Sequence, residues 1–249
     1  MSNLLVGKNY KIKDHSKWFD DKTANANQIE KDYASMETIL TNTARKHVVG
    51  LDDIIIHKGE ADNIRDVFKI HFKQIHELWE QGHNILYCDL DAMFLKEVEY
   101  FERFDDFRMF NLTDPTSTTD DHYGIKFNDY FNCGIRYYPQ TMSNNVWDLG
   151  FEMLENWNPD RWDCEQIIYN AMMFSQSLTA QEAYDPRLSF QMLYDNPNAT
   201  SNTQFNQIHI SEACAVHLHG SRNSHSRLSR MRDLENSVPR EQQEFSLYL

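Results

Sequence analysis

Long apolar runs and closely spaced cysteines are both missing from this sequence of 249 residues. No stretch reaches the roughly 18 apolar residues that a membrane-spanning helix needs, so we expect no membrane span. The first residues become polar too soon for a signal peptide. The four cysteines lie far apart, which gives no zinc-site spacing and is typical of reduced thiols. Together these absences favour a cytoplasmic protein.

Positive charge is scarce as well. The chain has 24 lysine and arginine residues against 38 aspartate and glutamate residues, a formal net charge of −14. Because phosphates would be repelled on average, this composition argues against nucleic acid or anionic membranes as partners. Hydrophobic residues make up 41% of the chain, as expected for a globular protein. Its length, without repeats or low-complexity linkers, predicts a single domain over residues 1–249.

The first 95 residues alternate between short apolar runs and longer amphipathic segments, which predicts a parallel sheet with helical crossovers. Leu4–Val6 is predicted to be a strand, and Gly7–Tyr10 a loop on the ligand side of the sheet. The other elements predicted here are a helix at Ala26–His47, a strand at Ile54–Ile56, a helix at Asn63–Gln81 and a strand at Ile85–Cys88.

The pattern is less regular from residue 96 onward and predicts a mixed second half. Thr113–Asp121 is polar and is a candidate mobile lid. Residues 221–249 are polar and charged, so we predict a loosely held helix or tail there. Strands are predicted at Phe107–Leu112, Phe131–Tyr138, Leu188–Tyr194 and Ala215–Leu218, and helices at Ser143–Trp157 and Asp163–Ser175. The predicted fold class is α/β, with a mostly parallel central sheet flanked by helices.

Two carboxylates, Asp89 and Asp91, directly follow the apolar run Ile85–Cys88. Open α/β sheets bind ligands at the carboxyl ends of their strands. Hard cations such as Mg²⁺ and Mn²⁺ prefer oxygen ligands and often also hold substrate phosphates. The pair therefore predicts a metal–diphosphate site, although two solvated aspartates at the start of a loop would give the same pattern.

Four stretches in order resemble the GT-A nucleotide-sugar glycosyltransferases, in particular their glycogenin-like and galactosyltransferase-like branch. Asp89-Leu90-Asp91 is similar to the DxD motif of that family. Phe131-Asn132-Cys133-Gly134 is similar to its F-N-[SA]-G strand. The remaining two stretches are Glu165–Asn170, similar to its D-Q-x-x-L-N helix, and His217–Gly220, similar to its H-x-x-G near the C-terminus.

The resemblance implies a single GT-A domain that binds a nucleotide-sugar donor, with UDP as the nucleotide, through Mn²⁺ or Mg²⁺. Asp89, Asp91 and His217 would be the metal ligands, and Asp89 would also contact the donor. Residues 1–95 would form the nucleotide-binding half and residues 96–220 the half for the sugar and acceptor. A core histidine that is satisfied by backbone groups remains the alternative for His217.

The same resemblance assigns roles around the donor sugar. Asn132, Cys133 and Gly134 would lie beneath that sugar, with Gly134 allowing a close approach. Gln166 would lie near the anomeric centre, and Glu165 could stabilise an oxocarbenium-like transition state. For Glu165 and Gln166 a solvated first turn of a helix is the alternative, because acids are favoured there by the helix dipole.

The sequence also departs from the branch. Asn9 and Tyr10 are similar to its base-binding residues, but Gly7 stands where the branch has an aspartate, and Tyr10 could equally be a packing residue. The lysine that follows the H-x-x-G stretch in the branch is absent. Arg222 or Lys69 would then be the cation that faces the diphosphate.

The interpretation that follows is a metal-dependent glycosyltransferase of the hexosyltransferase type, which transfers a sugar to a glycan or another hydroxyl acceptor. Two alternatives remain. A sugar-1-phosphate nucleotidyltransferase would use a related sheet, but normally carries a glycine-rich first loop that Gly7–Tyr10 does not supply. A non-catalytic nucleotide-sugar-binding protein would bind the same ligand without turnover.

Overall fold

A five-stranded mixed sheet forms the centre of the protein, and side chains from both of its faces are buried under helices. The computed structural model describes residues 1–12, 26–114, 118–120, 125–127, 129–156, 164–193, 208, 210–219 and 224–237. None of the helices in these ranges is long and apolar enough to cross a membrane.

The first half contains two long helices between parallel strands. Its elements are β1 (Asn3–Ile12), α1 (Ala26–His47), β2 (Asp53–Ala61), α2 (Ile64–Glu80), β3 (Asn84–Cys88) and β4 (Ala92–Phe94). Short strands and shorter helices make up the second half. They are β5 (Arg108–Met109), β6 (Leu112–Asp114), β7 (Thr118–Asp120), β8 (Ile125–Phe127), β9 (Tyr130–Phe131), β10 (Ile135–Tyr138), α3 (Asn144–Glu155), α4 (Cys164–Phe174), α5 (Ala180–Ala183), β11 (Phe190–Leu193), β12 (Ala215–His219) and α6 (Ser224–Ser237).

The central sheet has the strand order β2-β1-β3-β10-β5. β1 is parallel to both β2 and β3, whereas β10 is antiparallel to β3 and to β5. Successive side chains of a strand point to opposite faces. Leu5 accordingly packs in one core cluster with α1 and α6, while Leu4 and Val6 pack in another with α2, α3 and α4. The predicted α/β fold is confirmed, and the mixed sheet is mostly parallel in the sense that four of its five strands run in one direction and β10 runs against them.

A second sheet, in the order β11-β12-β4, connects the two halves of the chain. β4 begins immediately after Asp91 and pairs in antiparallel register with β12, so that Ala92 lies opposite His217. This pairing carries the C-terminal part of the chain to the carboxyl end of β3.

Several predictions about local structure are wrong, and one of them is the strand Phe107–Leu112, which is divided into β5 and β6. Gly7–Tyr10 is not a loop, because β1 continues to Ile12 in register with β2. The strand predicted at Phe131–Tyr138 is interrupted at Asn132–Gly134, where the chain leaves the small β6–β9 pair and joins the central sheet as β10. Within the C-terminal segment, residues Ser224–Ser237 are not loosely held, since they form α6, which packs on α1.

The docking of α6 has both apolar and polar parts. Leu228, Met231 and Leu234 of this helix are buried in the same core cluster as residues of α1. At its first residue, the Ser224 hydroxyl donates to the buried Asp32 carboxylate of α1 at 3.0 Å. The helix is therefore part of the folded domain, and its first turn lies next to the end of β3.

Candidate functional site

Asp89 and Asp91 lie in a tight turn between β3 and β4. The backbone N–H of Asp89 donates to Gly134 O at 2.8 Å, and the N–H of Ala92 donates to Asp89 O at 3.0 Å. The first bond joins the turn to the chain that enters β10, and the second closes the turn itself. The two aspartates are thereby held at the carboxyl end of a central parallel strand, where the sequence predicted them.

His217 completes a cluster with these two carboxylates. Its Nε2 atom lies 3.2 Å from Asp91 Oδ1 and 3.7 Å from Asp89 Oδ2. One ligand atom from each of the three residues can be chosen so that all lie within 4.8 Å of one another. Two carboxylate oxygens and one imidazole nitrogen are donors that fit Mn²⁺ and are compatible with Mg²⁺. The geometry is that of a candidate divalent-cation site.

Gly134 makes room for the histidine ring. A Cβ atom on Gly134 would lie 2.2 Å from His217 Cε1 and 2.5 Å from each ring nitrogen. Carbon atoms in contact are about 3.5 Å apart or more, so a side chain at this position would force the ring or the backbone to shift. The group that lies closest to a Cβ atom at Gly134 is thus the imidazole of His217, and the predicted approach of the donor sugar to this glycine stays a prediction.

The electrostatic environment of the cluster shifts the pKa values of the two aspartates in opposite directions. Burial raises the pKa of Asp91, but Arg227 and His217 outweigh burial and lower it to about 2. The pKa of Asp89 is raised, chiefly by burial and also by the charge of Asp91. Burial lowers the pKa of His217, but the two carboxylates outweigh it and raise that pKa. Asp91 is thus ionised throughout the neutral range, and a cation would favour ionisation of Asp89 as well.

Two residues that the sequence did not single out hold these carboxylates. The Tyr87 hydroxyl donates to Asp89 Oδ1, and Arg227 Nη1 donates to Asp91 Oδ2 at 2.7 Å. Tyr87 had a recognisable signal, because residues two apart on a strand lie on the same side. Arg227 had none, since only the docking of α6 brings it to Asp91.

The predicted catalytic pair, Glu165 and Gln166, lies in the first turn of α4. Glu165 Oε1 accepts from Lys8 Nζ at 2.9 Å and lies 3.7 Å from Arg136 Nη1. Gln166 Oε1 is 3.4 Å from Asn132 Nδ2. Glu165 is only 20% exposed, so it is a paired carboxylate rather than a solvated one.

The turn at Asn132–Gly134 joins this pair to the metal cluster. Asn132 Oδ1 accepts from the Gly134 N–H at 2.8 Å, and Cys133 O accepts from Arg136 Nη1 at 2.6 Å. Burial, with Glu165 nearby, raises the pKa of the Cys133 thiol to about 12. Cys133 therefore stays a neutral thiol at neutral pH.

The other predicted binding residues lie apart from this network. Asn9 Nδ2 donates to Glu37 at 2.7 Å, and the Tyr10 hydroxyl donates to Gln74 at 2.6 Å. Lys69 lies on α2, and within the described ranges no ion pair links it to the clustered carboxylates. Among the described residues, Lys8 and Arg136 lie beside Glu165, and Arg227 lies beside Asp91.

Two predictions fall wholly or partly outside the described residues. Arg222 lies outside them. Of the candidate lid Thr113–Asp121, the backbone at Thr113–Asp114 belongs to β6 and Thr118–Asp120 forms β7, which pairs with β8. The remainder, 115–117 and Asp121, lies outside the described ranges, and the lid stays a prediction.

Comparison with solved structures identifies the fold. The chain matches the crystal structure of a glycosyltransferase involved in the glycosylation of the major capsid of PBCV-1, with a TM-score of 0.52 and 11% sequence identity over 94% of this chain and 100% of the other. It also matches the galactosyltransferase LgtC in complex with donor and acceptor sugar analogues, with a TM-score of 0.48 and 12% identity over 96% and 99% of the chains. Comparison with protein-family models and with curated proteins gives no match. The predicted GT-A fold is confirmed by the first of these structures.

Proposed function

We propose that this protein is a metal-dependent glycosyltransferase, which transfers a sugar from a nucleotide-diphosphate sugar, with UDP as the preferred nucleotide, to a hydroxyl acceptor. One fold can host unrelated reactions, so the proposal rests on the site. The observation that carries it is the meeting of Asp89, Asp91 and His217 at the carboxyl end of β3. A glycan is the expected acceptor.

The metal site would serve the departing diphosphate. Asp89, Asp91 and His217 would hold Mn²⁺ or Mg²⁺, which when bound supplies Lewis-acid stabilisation of phosphate oxygens. Arg227 lies beside Asp91 and is a second cation at this place, with its guanidinium 2.7 Å from the carboxylate. It replaces Lys69 as our candidate for the positive group that faces the diphosphate, because Arg227 is already at the site.

The second cluster would serve the sugar. Glu165 carries a negative charge between Lys8 and Arg136, and such a fixed charge would stabilise positive charge that develops at the anomeric carbon. Gln166, held by Asn132, would orient the sugar beside it. The neutral Cys133 and the backbone of Gly134 would form the floor of the sugar site.

The site also bears on the alternatives. In the nucleotidyltransferase interpretation a glycine-rich loop should follow the first strand, yet β1 runs to Ile12 as a paired strand. This observation disfavours that alternative. The non-catalytic interpretation differs only in turnover, so a donor-hydrolysis assay decides it. The base-binding roles of Asn9 and Tyr10, and the role of Arg222 as a cation that faces the diphosphate, remain predictions.

Calorimetry with Mn²⁺ and UDP tests the proposal, with Asp91→Asn as the variant and Asp148→Asn as the control. Asp148 is exposed on α3. We expect wild-type protein and Asp148→Asn to bind Mn²⁺, to bind UDP only with Mn²⁺ present, and to release UDP from a UDP-sugar. Asp91→Asn should bind Mn²⁺ at least about tenfold more weakly and release no UDP.

Three results would contradict the proposal. One is wild-type protein that does not bind Mn²⁺. Another is an Asp91→Asn variant that binds Mn²⁺ and turns over a donor as the wild type does. The third is full turnover of the wild type after chelation of divalent cations. Tight UDP binding without release from any of the common UDP-sugars would favour the non-catalytic protein instead.

A further inference from the structure

Arg136 is a charged side chain in the middle of the central sheet. It lies on β10 opposite Tyr87 of β3, and it is completely buried. Its guanidinium carbon is 3.8 Å from the ring centre of Tyr87 and 3.8 Å from that of Tyr169 on α4. Removing a charge from water is unfavourable, and a well-packed apolar residue is often at least as stabilising. Stability alone is therefore a weak reason for an arginine here.

The contacts of Arg136 converge on the supports of the candidate site. One ring that it stacks on belongs to Tyr87, whose hydroxyl donates to the metal-ligand candidate Asp89. Its Nη1 donates to Cys133 O, and the carbonyl of the next residue, Gly134, accepts from the Asp89 N–H. The same Nη1 lies 3.7 Å from Glu165. One buried cation thus contacts Tyr87 and the Cys133 turn, which support Asp89, and lies beside Glu165.

We infer that Arg136 is a positioning residue, which holds Tyr87, the Cys133 turn and Glu165 in a fixed relation to Asp89. This inference rests on the proposed function of the same site. Arginine suits the task because its planar group stacks on aromatic faces while its N–H groups donate in the plane, here from Nε to Tyr138 and from Nη1 to Cys133 O. Lysine would keep the charge but lose the stacking and the fork of donors.

Arg108 provides a matched control. It lies on the neighbouring strand β5, its guanidinium is 4.6 Å from the Phe104 ring centre, and its Nη1 donates to Glu182 O at 2.7 Å. It therefore has the same kind of stacking and backbone contact, but its partners lie outside the Asp89 and Glu165 clusters. Arg136→Lys and Arg108→Lys should both lower thermal stability.

The test is Mn²⁺ affinity by calorimetry on folded protein, without UDP or any sugar. Loss of support around metal ligands typically weakens binding by about tenfold to a hundredfold. We expect Arg136→Lys to weaken Mn²⁺ binding by about tenfold, and Arg108→Lys to leave it within about twofold. Should Arg136→Lys fail to fold, Tyr138→Phe removes the phenolic oxygen that accepts from Arg136 Nε at 3.0 Å, and more than about twofold weaker binding is then expected.

A double-mutant cycle with Tyr87→Phe separates positioning from a merely structural role. If Arg136 acts on Asp89 through Tyr87, the losses of Mn²⁺ affinity in Arg136→Lys and Tyr87→Phe should not add in the double variant. Equal Mn²⁺ affinity in Arg136→Lys and Arg108→Lys would overturn the inference, and strictly additive losses would overturn its claim that Arg136 positions Asp89 through Tyr87. The proposed function fails separately, when the wild type does not bind Mn²⁺ or Asp91→Asn binds it normally.

Discussion

Gly134→Ala tests the geometry of the metal site most sharply. The new Cβ would stand 2.2 Å from His217 Cε1, about 1.3 Å short of an ordinary carbon–carbon contact of about 3.5 Å. The imidazole is only 5% exposed and is enclosed by its neighbours. If the ring moves to relieve this contact, it moves away from the two carboxylates. If the Gly134 backbone moves, it carries its carbonyl away from the Asp89 N–H, which it accepts at 2.8 Å.

Relieving a shortfall of about 1.3 Å requires the His217 ring or the support of Asp89 to move, whereas metal–ligand distances tolerate changes of only about 0.2 Å. We expect Gly134→Ala to bind Mn²⁺ at least about tenfold more weakly than wild type by calorimetry. Its free energy of unfolding, measured with urea, should fall by about 1–3 kcal/mol, as is typical of overpacking.

Gly150→Ala is the control for overpacking alone. Its Cβ would lie 2.6 Å from Phe72 Cζ and 2.8 Å from Met172 Sδ, in the core cluster beneath α3. This variant should lose stability but bind Mn²⁺ as the wild type does. Unchanged Mn²⁺ affinity in Gly134→Ala would refute the reasoning, and an equal loss of affinity in both variants would assign the effect to general destabilisation.

Two further predictions concern charge. Burial, followed by the charges of Lys8 and Arg136, holds the pKa of His71 well below its ordinary 6.5. The unfolded chain therefore takes up a proton near pH 6.5 that the folded chain does not, so the free energy of unfolding should fall as the pH drops below 6.5. His71→Asn should reduce that slope by up to about 1.4 kcal/mol per pH unit in urea titrations, and an unchanged slope would contradict this account. Arg227→Gln should weaken UDP binding at saturating Mn²⁺ by about tenfold, because a charge-assisted hydrogen bond contributes about 1.5 kcal/mol. Arg232 is exposed on the same helix, and Arg232→Gln should leave UDP binding unchanged.

Local patterns allowed much of the first half to be predicted. The helix Ala26–His47 has the predicted bounds, and its apolar residues recur at helical spacing on the buried side. The run Ile85–Cys88 is a buried strand with Asp89 at its end. Both signals are contained within a few neighbouring residues, so they can be recognised without knowledge of the rest of the chain.

Features that depend on a partner were not predictable from local patterns. Gly7–Tyr10 is polar after an apolar run and so resembles a loop, but pairing with β2 keeps it extended. The interruption at Asn132–Gly134 follows from two different partners, β6 on one side and β3 on the other. Neither partner is encoded next to the segment that it shapes.

The candidate site divides in the same way. Asp89, Asp91 and His217 could be chosen by resemblance, and the structure brings them together. Arg136 did have a signal, since an arginine inside a strongly aromatic strand is unusual, but its partners belong to other elements. Arg227 approaches Asp91 across 136 residues of sequence, a contact that only tertiary packing determines.

The docking of α6 has a consequence for the stage of folding at which the protein can bind a cation. Ser224 reaches Asp32 across 192 residues, and Arg227 reaches Asp91 across 136. A chain that emerges from the ribosome from its N-terminus can form β1, β2 and β3 early, yet must wait for β12 and α6 before its acidic turn gains a histidine and an arginine. Contacts so distant in sequence form late and slowly. The acidic turn would therefore await its partners until α6 has been made and has docked, and tight cation binding would mark that docking.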